Sequence, residues 1–199
     1  MSVDKVILRA ILSTLMAIGM LFAFAFVTLV AAFPSTTMEL AYDLGMNSSS
    51  IRNAERAYRR SDDIYFMAYA VNVAISEDNY EKTVSCGEKL ISDEEFQGFC
   101  MEKNALGEAL DYEQYIYGKV CVAHYENGEK EKAVQSAFAY TTQNFPQNNA
   151  VVAVVYAARK KNDADTANMI KGKMEQVQKE RLSETDKAYY EYVLGLLSE

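Results

Sequence analysis

A chain of 199 residues has room for one modest domain and little more. Its formal net charge of −8 opposes approach to phosphate backbones, so no nucleic-acid partner is expected. Hydrophobic residues make up 50% of the chain, but they are unevenly spread.

Residues 1–9 form a short N-terminus, expected to be cytoplasmic, with Asp4, Lys5 and Arg9 as its charges. From Ala10 to Phe33, 24 residues pass without a charge. At about 1.5 Å per residue, such a helix reaches roughly 36 Å and can cross a hydrocarbon core of about 30 Å. Its polar exceptions, Ser13, Thr14 and Thr28, can bond back to helix carbonyls. A buried core helix seldom stays apolar on every face for so long. A cleaved secretory signal is the other reading, but its apolar region usually runs about 7–15 residues. Val30, Ala31 and Ala32 offer small residues, yet Pro34 follows them awkwardly for a peptidase. No cysteine follows that would carry a lipid anchor. The expectation is an uncleaved span over 10–33, with the bilayer as its surroundings.

Lys5 and Arg9 precede the span, whereas Glu39 and Asp43 follow it and the next basic residue is Arg52. This bias predicts a single-pass cell-membrane protein with a cytoplasmic N-terminus and an extracytoplasmic C-terminal domain. Residues 1–34 carry a net +1 and residues 35–199 carry −9, which tends to keep the domain off anionic headgroups.

Pro34 marks the end of the span, because the residue before a proline is pushed out of helical geometry. Ser35, Thr36 and Thr37 can cap a short helix from Met38 to about Met46. Residues 47–50 read as a break and a new cap, opening a helix through Arg60. Together, 35–63 form juxtamembrane helices. Ser61-Asp62-Asp63 caps the next helix, Ile64 to Ile75, and Asn79 to Ile91 is its partner. The stretch 93–110 is irregular, with Gly98 and Gly107. Tyr112 to Tyr125 ends at Asn127-Gly128, and Glu129 to Asn144 ends at Phe145-Pro146. Asn149 to Lys161, Asp163 to about Arg181 and a last helix from Ser183 follow. No strand alternation occurs, so the expected class is all-α.

Self-alignment at 34 residues pairs Tyr117 with Val151, Val120 with Val154 and Cys121 with Val155. It also pairs His124 with Ala158, Gly128 with Asn162 and Ala133 with Ala167. These are packed positions and the turn of a two-helix unit. Over roughly 64–181 the chain resembles a degenerate tetratricopeptide repeat (TPR), with Tyr117, Val120, Cys121, His124 and Ala133 in its packing roles and Pro146 at the exit. Pro146 arrives one residue late, and Lys171 stands where an aromatic is common. The unit near Tyr65–Leu90 keeps Tyr80 and Thr83, with Thr83 lying 50 residues before Ala133, so 93–110 looks like an insert. A generic right-handed helical array is the competing reading.

The resemblance implies a transmembrane helix followed by a TPR-like α-solenoid of antiparallel helix pairs over 64–199. It also implies an inner, concave face carrying Tyr65, Asn72, Tyr115, Val122, Tyr125, Tyr156, Arg159 and Lys160. Solenoids of this kind bind extended peptides or helices there, and tyrosine and arginine often carry interface energy. The groove filled by the chain's own insert or last helix is the alternative.

Catalysis is not expected, and neither is a cofactor, metal or small-molecule substrate. His124 is the one histidine, and its packed position favours a satisfied interior residue. No phosphate loop, nucleophile elbow or metal motif is present. Cys86 and Cys100 could pair in an oxidising compartment, or all three cysteines, Cys121 included, could be buried thiols. The leading expectation is a membrane-tethered scaffold or chaperone-like accessory with membrane-associated protein partners. The alternative is a structural subunit assembled through the span, where Gly19 and Ala23 would permit close helix approach.

Overall fold

The computed structural model describes residues 3–107, 111–139 and 150–198. All regular structure among them is helical, and no strand occurs. In chain order the helices are α1 Val3–Ala32, α2 Pro34–Asp43, α3 Asn47–Ser61, α4 Ile64–Ser76, α5 Tyr80–Ile91 and α6 Phe96–Ala105. Then come α7 Tyr112–Glu126, α8 Lys130–Ala139, α9 Ala150–Lys160, α10 Ala164–Met174, a 3-10 turn at Lys179–Arg181 and α11 Glu184–Leu196. The chain divides into two units, Met1–Asp62 and Asp63–Glu199.

In the first unit, α1 is long and apolar enough to cross a membrane, and none of its apolar stretch is buried. Its hydroxyls bond inward: Ser13 and Thr14 donate to the Ala10 carbonyl at 2.9 Å, and Thr28 donates to Phe24 at 2.8 Å. That leaves no bare hydroxyl on an apolar surface. Phe33 leaves helical geometry (φ −129°, ψ 64°) ahead of Pro34. Pro34 then opens α2, since its missing N–H costs nothing in a first turn.

This corrects the sequence expectation that Ser35–Thr37 cap a helix from Met38. The Thr37 hydroxyl instead donates to the Phe33 carbonyl at 3.0 Å. Residues 47–50 are likewise the first turn of α3 and not a break. α2 packs on α3 through Met38, Ala41, Ile51 and Ala54, with the buried Ser50 hydroxyl donating to the Met38 carbonyl at 2.7 Å.

In the second unit, α4 packs on α5, α5 on α7, and α7 on both α8 and α9. α9 touches α7, α8, α10 and α11, so its run of valines and alanines is covered on several sides. Val151, Val152, Val154 and Val155 are all buried, each worth roughly 1.5–3 kcal/mol. Where α5 meets α7, Gly87 is required: an added Cβ would overlap Val120 Cγ2. The irregular 93–110 stretch contains α6, while its last three residues lie outside the described part. Asn144, Phe145, Pro146 and Asn149 also lie outside it. α10 ends at Met174, well short of Arg181, and the Met174 carbonyl accepts from both the Val177 N–H at 3.0 Å and the Tyr190 hydroxyl at 2.8 Å.

Four turns share one backbone construction. The N–H groups of Met46, Asn79, Glu129 and Asp163 donate to the carbonyls of Ala41, Ala74, His124 and Ala158 at 2.7–2.9 Å. The residue before each donor is left-handed: Gly45 (φ 69°), Asp78 (49°), Gly128 (83°) and Asn162 (52°). This is the Schellman stop, which satisfies the last helix carbonyls. The accepting residues are spaced 33, 50 and 34 apart, and nine residues beyond each lies Ser50, Thr83, Ala133 or Ala167. The turn of α2–α3 was not read from sequence as a member of this series.

Candidate functional site

Cap chemistry fixes where α4 and α7 begin and thus how their side chains rotate. Asp63 accepts from the Tyr65 N–H at 2.9 Å, and Asp111 accepts from the Gln114 N–H at 3.0 Å. With those starts, Tyr65 is 42% exposed and Tyr115 44%, and Tyr156 on α9 is 50% exposed. Asn72 and Lys160 are exposed, and Val122 and Arg159 are half-buried.

These residues form local groups. Asn72 donates to the Tyr112 hydroxyl at 3.0 Å, and the Tyr112 and Tyr115 rings lie 6.2 Å apart. Lys119 sits 5.6 Å over the Tyr115 ring, the range of a cation–π contact. On α9 the Tyr156 hydroxyl meets that of Tyr192 at 2.6 Å, and Tyr192 lies 5.6 Å from Tyr189. Tyr192 was missed in sequence because nothing local brings α11 to α9.

Tyr125 does not belong to an exposed face, which corrects its assignment as a binding residue. It is only 3% exposed, and its hydroxyl donates to Asp163 at 3.0 Å. The reason is the neighbouring hairpin: Lys161 lies 5.2 Å over its ring, and Asp163 caps α10 beside it. Burial, then the Asp163 hydrogen bond, pushes the phenol up to about 12. Burial alone would raise the Asp163 carboxyl, but bonds from Lys130, Thr166 and Tyr125 outweigh it. They hold the carboxyl well below its ordinary value.

Of the expected packing residues, Val120, Cys121, His124, Ala133, Val154, Val155 and Ala158 are buried. Tyr117 is half-buried, its hydroxyl donating to Glu113 at 2.7 Å and its ring 5.9 Å from Phe96. Ala167 is half-buried beside a cavity of about 400 Å³ that also touches Ala158 and Leu197, so its surroundings are looser than those of Ala133.

His124 stands where the other three turns carry alanine. Its Nδ1 lies 2.5 Å from Glu129 and its Nε2 3.1 Å from Glu88, so both ring nitrogens have partners. A hydrogen bond from Lys132 outweighs burial and, with His124, holds the Glu88 carboxyl below its ordinary value. Cys86, Cys100 and Cys121 are buried thiols that form no disulfide. Burial, helped by Glu113 and Asp111, raises Cys100 to about 12, and burial alone raises Cys121. Among the described residues no three His, Cys, Asp or Glu side chains converge as a metal site.

No family model matches this chain, and no curated protein or solved structure matches it.

Proposed function

We propose that this protein is a membrane-tethered interaction module, a scaffold or chaperone-like accessory of a secretion or envelope-assembly complex. In this reading its helix pairs stack antiparallel as a TPR-like α-solenoid. The repeated Schellman stop, followed nine residues later by a small residue, supports that reading. α1 anchors the chain in the cell membrane with the N-terminus in the cytoplasm and the large domain outside it. Lys5 and Arg9 support this orientation, because insertion precedes folding and distance along the chain is what counts.

The observation that carries the interaction reading is the half-exposure of Tyr65, Tyr115 and Tyr156 on α4, α7 and α9, the first helices of three successive pairs. Tyrosine offers a large rigid face at low entropic cost. The test is recovery of partners with the full-length protein in mild detergent. Tyr115→Ala and Tyr156→Ala should each cut recovery about tenfold or more while leaving melting within a few degrees. Partners retained with lowered melting would instead make these tyrosines structural. Assembly through the span is a second reading, favoured by the small-residue pair Gly19 and Ala23 one turn apart on α1. Replacing α1 with an unrelated span would then abolish the complex while the tyrosine variants leave it intact.

A further inference from the structure

α3 carries Arg52, Arg56 and Arg60 at four-residue intervals, one row along a single helix face. Arg60 donates Nη1 to the carbonyl of Ala32, the last residue of α1, at 3.2 Å. A cation there also meets the negative end of the helix dipole. Arg52 donates Nε to the Ser48 carbonyl at 3.3 Å and Nη2 to the Ser49 hydroxyl at 3.2 Å. Arg56 donates Nη1 to the Asn53 side-chain carbonyl at 3.4 Å. Among the described residues, neither guanidinium has a carboxylate partner.

Both arginines border a groove of about 180 Å³ whose other walls include Phe26 and Val30 of α1 and Leu40 and Leu44 of α2. Phe26 lies about 9 Å along the helix before Ala32, so one end of the groove reaches back along the apolar stretch of α1. The acids of α2 do not compete. Thr37, Leu40, Ala41 and Leu44 face the groove, which at 100° per residue turns Glu39 to the opposite side and Asp43 to the flank, and neither lines it. Glu55 of α3 is buried. The overall acidity is not carried by the residues of this unit. Residues 1–62 hold six basic and five acidic residues, a net +1, so the −9 belongs to 63–199.

An occupant of this groove must be anionic at one end and apolar at the other, and must be found where the span leaves the membrane. We propose that the groove binds an anionic phospholipid of the bilayer that α1 enters. Its phosphate sits against Arg52 and Arg56, and its first chain carbons lie against Phe26, Val30, Leu40 and Leu44. The guanidinium fork suits two phosphate oxygens at once, and the apolar walls discriminate against free phosphate. The proposal rests on the membrane-anchored reading above.

The test uses the full-length protein in lipid nanodiscs of phosphatidylcholine mixed with phosphatidylglycerol, released for native mass spectrometry. The expected result is one retained phosphatidylglycerol, preferred about tenfold over phosphatidylcholine. The Arg52→Gln/Arg56→Gln variant should lose the preference, and Arg59→Gln, which removes a charge outside the groove, should keep it. Equal retention of the two lipids by the unaltered protein would overturn the proposal without needing any variant. So would a preference that survives the double substitution. Failure of the protein to enter nanodiscs of either composition would overturn the anchored reading itself, and the lipid site with it.

Discussion

The helix pairs α2–α3 and α9–α10 end their first helices on the same backbone turn, yet they treat their cations in opposite ways. Around α9–α10, Lys130 reaches Asp163 at 2.6 Å and Lys161 reaches Glu126 at 2.5 Å. Around α2–α3, Arg52 and Arg56 reach, among the described residues, only a backbone carbonyl, a hydroxyl and an amide. The turn is a helix-stop device and needs only a left-handed residue at the right place. What surrounds it answers to what each hairpin must hold. Charges matched by the chain's own carboxylates contribute to folding, whereas an arginine pair with neutral neighbours stays available to an external anion.

The contrast breaks first at Asp163. Asp163→Ala removes a cap and strips the buried Tyr125 hydroxyl of its acceptor, so it should cost about 2–4 kcal/mol in urea unfolding. A loss under about 0.5 kcal/mol would show that the α9–α10 charges are as dispensable as surface charges elsewhere. Asp163→Asn keeps the capping oxygen and isolates the charge. The folded-state pKa of Asp163 is depressed from its ordinary 3.8, so its contribution is fully present above that value. The stability gap between the unaltered protein and Asp163→Asn should therefore hold steady at neutral pH and narrow as pH falls below 3.8.

A second effect compares two glycines. Gly87→Ala should destabilise by roughly 1–3 kcal/mol, because the stiff Val120 side chain cannot swing away from the new methyl. Gly19→Ala, with nothing within 4 Å, should leave thermal unfolding unchanged. Equal effects at the two sites would contradict the close approach of α5 and α7.

The smallest effect is expected at the arginines. Arg52→Gln and Arg56→Gln should each shift unfolding by less than about 0.5 kcal/mol, since both side chains are exposed and their present partners are neutral. A larger loss would mean that these side chains hold the hairpin together, and their availability to an outside anion would lapse.

Local chemistry made part of this legible. Asn127-Gly128, Asp63 and Asn79 announce helix ends, and the stops and caps occur there. The apolar run 10–33 likewise emerges as one helix, apart from a one-residue difference at its end. Relations between distant segments were not legible. Tyr125 has the helical register of an exposed residue, and only the arrival of Asp163 and Lys161 buries it. The bond from the Tyr190 hydroxyl to the Met174 carbonyl, sixteen residues back, has no local signal either. The arginine row is visible at four-residue spacing, but nothing near it says that Arg60 reaches back 28 residues to Ala32. The α2–α3 stop carries a signal at Gly45, but the start of α3 was hidden because its capping position holds Met46, a residue that carries no cap signal.

The three buried thiols give this protein a chemically quiet surface. Thiolate is the form that oxidants, metals and alkylating reagents attack, and burial leaves little of it at Cys100 or Cys121. Air or a change of compartment should not staple two copies together, and a maleimide offered to the folded chain should find no ready target. A single cysteine introduced beside Tyr156, or at Leu44 on the groove wall, would then be the one reactive thiol on the molecule. Its accessibility with and without a partner or lipid would report coverage of that spot with no need to remove the native cysteines first.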